Sequence, residues 1–244
     1  MSVPESRLAQ HYEERYETYR SFGTGLVETL AEELLPAGGS VLDVGCASGG
    51  LLARLQPKAG YAAGLELSAT AAEAARAHAD EVVCGALDAD PAPRFAYASF
   101  DLVICADVLE HTVDPVASLQ RAAGWCAPGG KLLISVPNIG YFAARARVLR
   151  GRFGYDDQGG IFDSGHLRFF TQSLLVSLVA DAGLQLVSTH AVVPALRNSF
   201  PLLSRTPDRV SRAVERRWQS FGRRRPQLLG YQLVAVASPA GGGG

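Results

Sequence analysis

Two spacings of apolar residues follow one another along this chain of 244 residues. Short runs rich in valine, leucine and isoleucine are typical of strands buried on both faces, and apolar residues three or four positions apart predict amphipathic helices. The predicted strands are 41–45, 61–66, 81–84, 100–105, 131–136, 184–193 and 229–237, and the predicted helices are 5–21, 24–35, 48–56, 69–79, 115–125 and 171–182. This alternation predicts an α/β fold with a doubly wound, Rossmann-like sheet of seven strands, mostly parallel with an antiparallel last strand.

Two segments are too long for ordinary connections in such a sheet. Residues 137–170 join the fifth strand to its helix, and residues 194–228 separate the last two strands. Long loops on a rigid scaffold commonly carry recognition, so both segments are predicted to be lid or substrate insertions. We expect a single domain over 1–244, with an N-terminal helical cap at 1–36 and a tail at 238–244.

The most informative stretch is residues 41–49, Val-Leu-Asp-Val-Gly-Cys-Ala-Ser-Gly, a strand that runs into a glycine-rich turn. Gly45 and Gly49 allow a tight turn and the close approach of a ligand to the backbone. Glu66 ends the next strand, where its carboxylate could accept both hydrogen bonds of a ribose diol. These features predict a nucleotide-type pocket at the carboxyl ends of the first two strands.

The chemistry of this turn favours S-adenosylmethionine over NAD. The dinucleotide pattern G-x-G-x-x-G is not matched, because Ala47 stands at its third position. Asp43 would repel a pyrophosphate but attract the ammonium and sulfonium groups of S-adenosylmethionine. Two other interpretations stay open at this point: an NAD-dependent dehydrogenase, and a buried aspartate beside a glycine turn that binds no ligand.

Three motifs carry a resemblance to a known family. The D-x-G-C-x-x-G run at 43–49 resembles motif I of the class I S-adenosylmethionine-dependent methyltransferases. The segment F-D-L-V…L-E-H at 100–111, followed by Asp114-Pro115, resembles the ubiquinone-type and methionine-biosynthesis-type families, and H-L-R-F-F-T at 166–171 recurs in a large bacterial branch. The resemblance implies S-adenosyl-L-methionine as the cofactor. The predicted cofactor-binding residues are Asp43, Gly45, Cys46, Ala47, Gly49, Glu66, Leu67, Leu87, Asp88, Ala106 and Asp107.

The same resemblance implies a methyltransferase that acts on a small molecule, with O-methylation of a hydroxyl group in secondary-metabolite or saccharide-type biosynthesis as the expected reaction. A neutral histidine can take the proton of a hydroxyl group. His166, in the first insertion, is the preferred base and His111 the reserve; either can instead be a structural histidine. Arg168 and Tyr141 are predicted to contact the substrate. N- or C-methylation and a non-catalytic binding subunit remain alternatives.

Charge and cysteine usage narrow the partners and the compartment. The net charge of −1 argues against nucleic acid. The four cysteines are widely spaced without a C-x-x-C pair, which predicts reduced thiols and no metal site. Because no apolar run could span a bilayer and the first ten residues lack the apolar core of a signal peptide, a cytoplasmic enzyme is expected.

Positive charge is concentrated in the second insertion. Nine arginines fall within 194–228 against Asp208 and Glu215 alone, and Arg205, Arg209, Arg212 and Arg216 share one helical face. This pattern predicts a basic amphipathic helix at 205–225. It could be a solvated face, a site for an anionic substrate, or a contact with a membrane surface or an acidic carrier.

Overall fold

The computed structural model describes residues 25–90, 92–95, 99–156, 159–196 and 208–240, with the backbone alone over 208–213. The predicted helix at 5–21 and the last four residues lie outside the described part, as do Arg205 and the side chains of Arg209 and Arg212.

The described residues form one sheet of seven strands in the order β3-β2-β1-β4-β5-β7-β6. The strands are β1 (Gly39–Val44), β2 (Ala59–Glu66), β3 (Glu81–Cys84), β4 (Phe100–Ala106), β5 (Cys126–Pro137), β6 (Leu184–Val192) and β7 (Gln232–Pro239). Strands β1 to β5 pair in parallel, and β7 is antiparallel to both β5 and β6. The predicted fold class, with its reversed last strand, is confirmed.

Helices cover both faces of this sheet. Those described are α1 (Leu26–Leu34), α2 (Gly50–Leu55), α3 (Ala69–Ala75), a 3-10 helix (Leu109–His111), α4 (Pro115–Gly124), α5 (Phe142–Leu149), α6 (Gln172–Asp181), α7 (Asp208–Arg224) and α8 (Pro226–Leu229). The Asp114 and Thr171 side chains cap the first turns of α4 and α6 by accepting backbone N–H bonds, as short polar side chains do at helix N-termini.

Strand β1 lies at the centre of the core and is buried along its whole length. Leu42 and Val44 join the apolar cluster that α4 and α6 cover. Val41 points to the opposite cluster, which α1, α2 and α3 cover. Successive side chains of a strand alternate between faces, so a run of apolar residues in β1 is what a sheet with two covered faces requires.

The end of the chain differs from the prediction at one boundary. Residues 226–229 form the short helix α8 instead of the start of the last strand, and Pro226 stands in its first turn, where a missing N–H is tolerated. Strand β7 then continues to Pro239, so the predicted tail at 238–244 begins later. No helix in the described ranges is long and apolar enough to cross a membrane.

Both insertions have structure of their own, and they contact each other. The first contains α5 and a loop that returns to the sheet through a bridge between Asn138 and Phe170. The buried Asn138 amide donates to three carbonyl oxygens of the α8 region. In α7, Trp218 donates to the Pro194 carbonyl and its ring lies 6.4 Å from that of Phe142. The insertions therefore form a connected layer at one end of the sheet.

Candidate active site

The glycine-rich turn after β1 has an unusual backbone. Gly45, Ala47 and Gly49 have φ angles of 74°, 46° and 81°. This left-handed region is easy for glycine and strained for alanine. Ala47 therefore adopts a conformation that glycine would favour, although the sequence carries a methyl group there.

Residues of neighbouring elements lie close to the backbone of Gly45 and Gly49, where a side chain would leave no room. A Cβ atom on Gly45 would lie 2.6 Å from Cγ2 of Val108, and one on Gly49 would lie 3.1 Å from the Ala75 backbone. Val108 follows β4, so its contact with Gly45 joins the first-strand turn to the end of β4. The two halves of the candidate site are thus packed directly against each other.

Glu66 braces this turn. Its Oε2 accepts the Ala47 N–H at 2.9 Å, and its Oε1 accepts the Ser68 N–H at 2.8 Å. Carboxylates that accept backbone N–H groups form strong, charge-assisted bonds. The structure therefore gives Glu66 a role that the sequence analysis missed: it fixes the shape of the turn. The predicted contact with a ribose diol would have to share these oxygen atoms.

Asp43 lies in the middle of the sheet, paired in register with Gly64 on one side and Ile104 on the other. Its side chain is buried. Burial, with a smaller contribution from the negative charge of Glu66, raises the pKa of the Asp43 carboxyl to about 8. Without a cationic partner, this carboxyl therefore holds its proton at neutral pH.

The remaining predicted cofactor-binding residues near β1 to β3 differ in their exposure to solvent. Cys46 is buried and its Sγ fills the space beside Gly64, so only its backbone faces the turn. Leu67 is half-buried between Glu66 and Ser68. Leu87 is buried and its carbonyl accepts a bond from Arg121, whereas Asp88 is exposed. All four cysteines lie in the described part of the chain, and no disulfide joins them.

Asp107 stands at the carboxyl end of β4, beside Ala106. It also has a left-handed backbone, with φ 54°. Its carboxylate accepts bonds from the Gln232 amide of β7 at 2.6 and 2.8 Å and from the Ser135 hydroxyl of β5 at 3.2 Å. Gln232 and Ser135 carry no signal in the sequence, since only the pairing of β5 with β7 brings them to Asp107.

The two candidate histidines meet at this edge although they are far apart in sequence. The rings of His111 and His166 lie 4.7 Å apart in an edge-to-face arrangement. His111 Nδ1 lies 2.9 Å from the Gly165 carbonyl, and His166 Nδ1 lies 3.1 Å from the Ile161 carbonyl. A carbonyl oxygen only accepts, so in each ring Nδ1 carries the hydrogen and Nε2 is the basic nitrogen.

Glu110 completes this group, and the sequence analysis gave it no role. Its side chain is 1% exposed, and its Oε1 lies 3.9 Å from His166 Nε2. Burial raises the pKa of the Glu110 carboxyl well above its usual range, with Asp107 adding to the effect. Burial also lowers the pKa of His166, so its imidazole is neutral near pH 7. We call Glu110, His111 and His166 the His–Glu cluster.

Backbone hydrogen bonds dock the first insertion onto this cluster. The N–H groups of Leu167 and Arg168 both donate to the Glu110 carbonyl, at 2.8 and 3.1 Å. The Arg168 guanidinium donates to the Val113 carbonyl at 2.7 Å. Arg168 thus clamps the insertion. Tyr141 is buried against Phe142 and Tyr231.

The comparisons with known proteins agree with this geometry. A family model described as a methyltransferase domain matches residues 12–189. The ubiquinone biosynthesis O-methyltransferase of Xanthomonas axonopodis pv. citri is 31% identical over 74% of this chain and 77% of its own length. The enzyme of that name from Idiomarina loihiensis is 31% identical over 69% and 70%. The chain belongs to the class I S-adenosylmethionine-dependent methyltransferases.

Solved structures share the fold at low sequence identity. A geranyl diphosphate C-methyltransferase from Streptomyces coelicolor has a TM-score of 0.63 at 13% identity, covering 98% of this chain and 99% of its own. A possible histamine N-methyltransferase from Thermotoga maritima has a TM-score of 0.57 at 20% identity, covering 96% and 97%. At these identities the likeness shows the fold alone.

Membership in this family resolves several of the open alternatives. The protein is a small-molecule methyltransferase that uses S-adenosyl-L-methionine. The interpretations as a dehydrogenase and as a non-catalytic binding subunit are therefore set aside.

Proposed function

We propose that this methyltransferase transfers its methyl group to a hydroxyl oxygen of a small molecule. The observation that carries the proposal is the docking of the first insertion on the end of β4. This docking brings His166 to Glu110 and His111, which follow β4 in the chain. Removal of a proton is what a hydroxyl acceptor needs before or during attack. The curated relatives at 31% identity, which are named O-methyltransferases, support the same choice.

On the donor side, the proposed roles follow charge and position. Asp43 would pair with the ammonium group of S-adenosylmethionine, since a buried carboxyl with a raised pKa gains most from a cationic partner. Glu66 would reach the ribose, Leu87 and Asp88 the adenine, and Ala106 and Asp107 the methionine half. The remaining proposed contacts come from the turn and its neighbour: Gly45, Cys46, Ala47, Gly49 and Leu67.

On the acceptor side, His166 Nε2 is the proposed proton acceptor and His111 the second candidate. The acceptor R–OH gives its proton to the imidazole, and the oxygen attacks the methyl carbon while the carbon–sulfur bond breaks. The products are R–O–CH₃, S-adenosylhomocysteine and a protonated histidine, so charge and atoms balance. Because the donor is already activated, alignment of the reactants supplies most of the acceleration, about 7–11 kcal/mol.

The acceptor class remains part of the proposal. We propose a hydroxylated secondary metabolite or saccharide-type precursor, with Tyr141 and Arg168 on its border. Both residues belong to the first insertion, which is the layer that covers the end of the sheet.

The test is methyl transfer by the full-length chain with isotope-labelled S-adenosylmethionine. The acceptor panel should contain phenolic hydroxyls, sugar hydroxyls, primary amines and an activated carbon acid of similar size. We expect label in a hydroxyl compound, recovered as an ether. Label confined to the amines or to the carbon acid would contradict O-methylation while leaving the family assignment intact.

A further inference from the structure

The residues after β3 form a tight turn, which we call the β3 turn (residues 86–89). The Ala89 N–H donates to the Ala86 carbonyl at 3.2 Å and closes it. Its two central residues differ in exposure, since Leu87 is 5% exposed and packs in the apolar core, whereas Asp88 is exposed to solvent. Both are proposed contacts of the adenine.

Arg121, in the last turn of α4, holds the β3 turn from outside. Its Nη1 donates to the Leu87 carbonyl and to the Ala89 carbonyl, each at 2.7 Å. A guanidinium NH₂ group has two hydrogens, so each carbonyl receives one. The two carbonyls belong to the residues on either side of Asp88. A single side chain, 34 and 32 positions away from its partners, therefore fixes the backbone around the exposed carboxylate.

The positive charge of Arg121 is used on these carbonyl oxygens. Among the described residues, no carboxylate forms an ion pair with Arg121. The residue is half-buried. Hydrogen bonds from a charged donor are stronger than those between neutral groups. Arg121 thus differs from a surface arginine such as Arg54, whose guanidinium pairs with Glu32 in solvent.

Asp88 needs this support more than the other acidic residues of the adenosyl side. Asp43 lies within β1 and Glu66 ends β2, whereas Asp88 stands on a turn. A side chain on a loop is held less precisely than one on a strand, unless neighbouring residues fix the loop. The two bonds from Arg121 are such a restraint.

We propose that Arg121 is a positioning residue that sets the preference of this enzyme for adenine in its cofactor. Arg121 acts through the β3 turn, which it holds with the Asp88 carboxylate toward the exocyclic N6 amine. That amine is a hydrogen-bond donor, and an ionised carboxylate only accepts. A base with an oxygen atom at this position would instead place an acceptor against the carboxylate. The inference rests on the proposed contact of Leu87 and Asp88 with the adenine.

The test compares two ligands by calorimetry on the full-length chain: S-adenosylhomocysteine and S-inosylhomocysteine, in which a carbonyl oxygen replaces the N6 amine. We expect wild type to bind the adenosyl ligand about 10–100-fold more tightly, the usual effect of a hydrogen bond to a charged group. Arg121→Met removes both donors and keeps an unbranched side chain. It should weaken the adenosyl ligand about tenfold and leave the inosyl ligand within about twofold of wild type, because only the former uses the bond.

A purely structural role would give a different result, since a general loosening of the site weakens both ligands equally. Equal weakening of the two ligands by Arg121→Met would therefore overturn the inference. Arg121→Lys keeps the charge and the donors and should restore part of the discrimination. It also carries the comparison if Arg121→Met has a lowered melting temperature. Arg54→Met is the matched control and should bind both ligands as wild type, because exposed ion pairs contribute little.

Steady-state kinetics give a second measurement. The adenine lies at the opposite end of the cofactor from the methionine half, so Arg121→Met should raise KM for S-adenosylmethionine about tenfold with kcat unchanged, the pattern of lost uniform binding. A fall in kcat at saturating cofactor, with KM unchanged, would contradict the positioning of adenine.

Asp88→Ala separates this inference from the proposed cofactor contacts. Lost discrimination in Asp88→Ala, together with wild-type discrimination in Arg121→Met, overturns the inference and leaves the proposed contact of Asp88 standing. Wild-type discrimination in Asp88→Ala, together with lost discrimination in Arg121→Met, supports the positioning role and overturns the contact of Asp88. Neither result depends on which acceptor is methylated.

Discussion

The donor and acceptor halves of this site are built in opposite ways. In the donor half, Asp43, Gly45 and Ala47 lie within five residues, and Glu66 reaches the same turn from the adjacent strand. In the acceptor half, His111 and His166 are 55 positions apart in sequence and meet only because the first insertion docks on the end of β4. A contiguous motif can therefore reveal the cofactor, while the acceptor chemistry depends on how an insertion folds back.

This comparison predicts that substitutions can impair turnover and cofactor binding separately. The largest effect is expected at His166. Replacement of His166 by glutamine removes the basic nitrogen that is the proposed proton acceptor. We expect turnover at saturating S-adenosylmethionine to fall by about 10²–10⁴-fold, with calorimetric affinity for S-adenosylhomocysteine unchanged. His190→Gln should leave both quantities as in wild type. A parallel loss of cofactor affinity would show that the two halves are not independent.

The next effect concerns protons in the donor half. The carboxyl of Asp43 has a pKa of about 8 in the folded protein, above the usual aspartate value of 3.8. The ligand-free fold therefore keeps a proton that the unfolded chain releases, and its stability falls as pH rises from about 4 to 8. A bound ammonium group favours the ionised carboxyl instead. Affinity for S-adenosylhomocysteine should thus rise about tenfold per pH unit below pH 8.

Calorimetry in buffers of different ionisation enthalpy measures this coupling directly. We expect close to one proton to be released on binding at pH 7 for wild type and none for Asp43→Asn. Equal proton release by the two proteins would contradict the pairing of Asp43 with the ammonium group.

Glu66 should give a somewhat smaller effect because it has two functions. Glu66→Gln keeps the shape but turns one acceptor oxygen into a donor facing a backbone N–H. Hydrogen bonds to a charged group contribute about 1.5–3 kcal/mol each, so we expect about tenfold or greater loss of S-adenosylhomocysteine affinity. Denaturant unfolding should show a loss of about 1–3 kcal/mol in the free energy of unfolding. Unchanged stability with reduced affinity would restrict Glu66 to ligand contact.

The smallest effect is expected at Ala47, where the turn strains a non-glycine residue. A left-handed backbone costs an L-residue about 1–2 kcal/mol. Glycine avoids this strain, but it loses more conformational entropy on folding than alanine, which costs about 0.5–1 kcal/mol. Ala47→Gly should therefore raise the free energy of unfolding by about 0.5–1 kcal/mol. Ala53→Gly, in helix α2, is the matched control and should lower it by about 1 kcal/mol. A loss of stability at both positions would argue against the strained turn.

The sequence by itself determined the features that depend on short-range pattern. The apolar runs identified all seven strands, and β1, which is buried along its whole length, is the clearest case. The turn residues 43–49 identified the cofactor class, since glycine spacing and the charge of Asp43 act within one local element. The cap that Thr171 forms on α6 is local in the same sense, because the atoms it joins are three residues apart.

Only the tertiary structure decided how distant residues are used. In the folded protein, Glu66 accepts a hydrogen bond from the turn, and Arg168 donates one that holds the first insertion against the residues after β4. Asp107 accepts hydrogen bonds from Gln232 and Ser135. The fold also leaves Glu110 buried beside two histidines. Burial determines the ionisation of a side chain, and long-range pairing determines its partners. The residues adjacent in sequence do not determine either burial or long-range pairing.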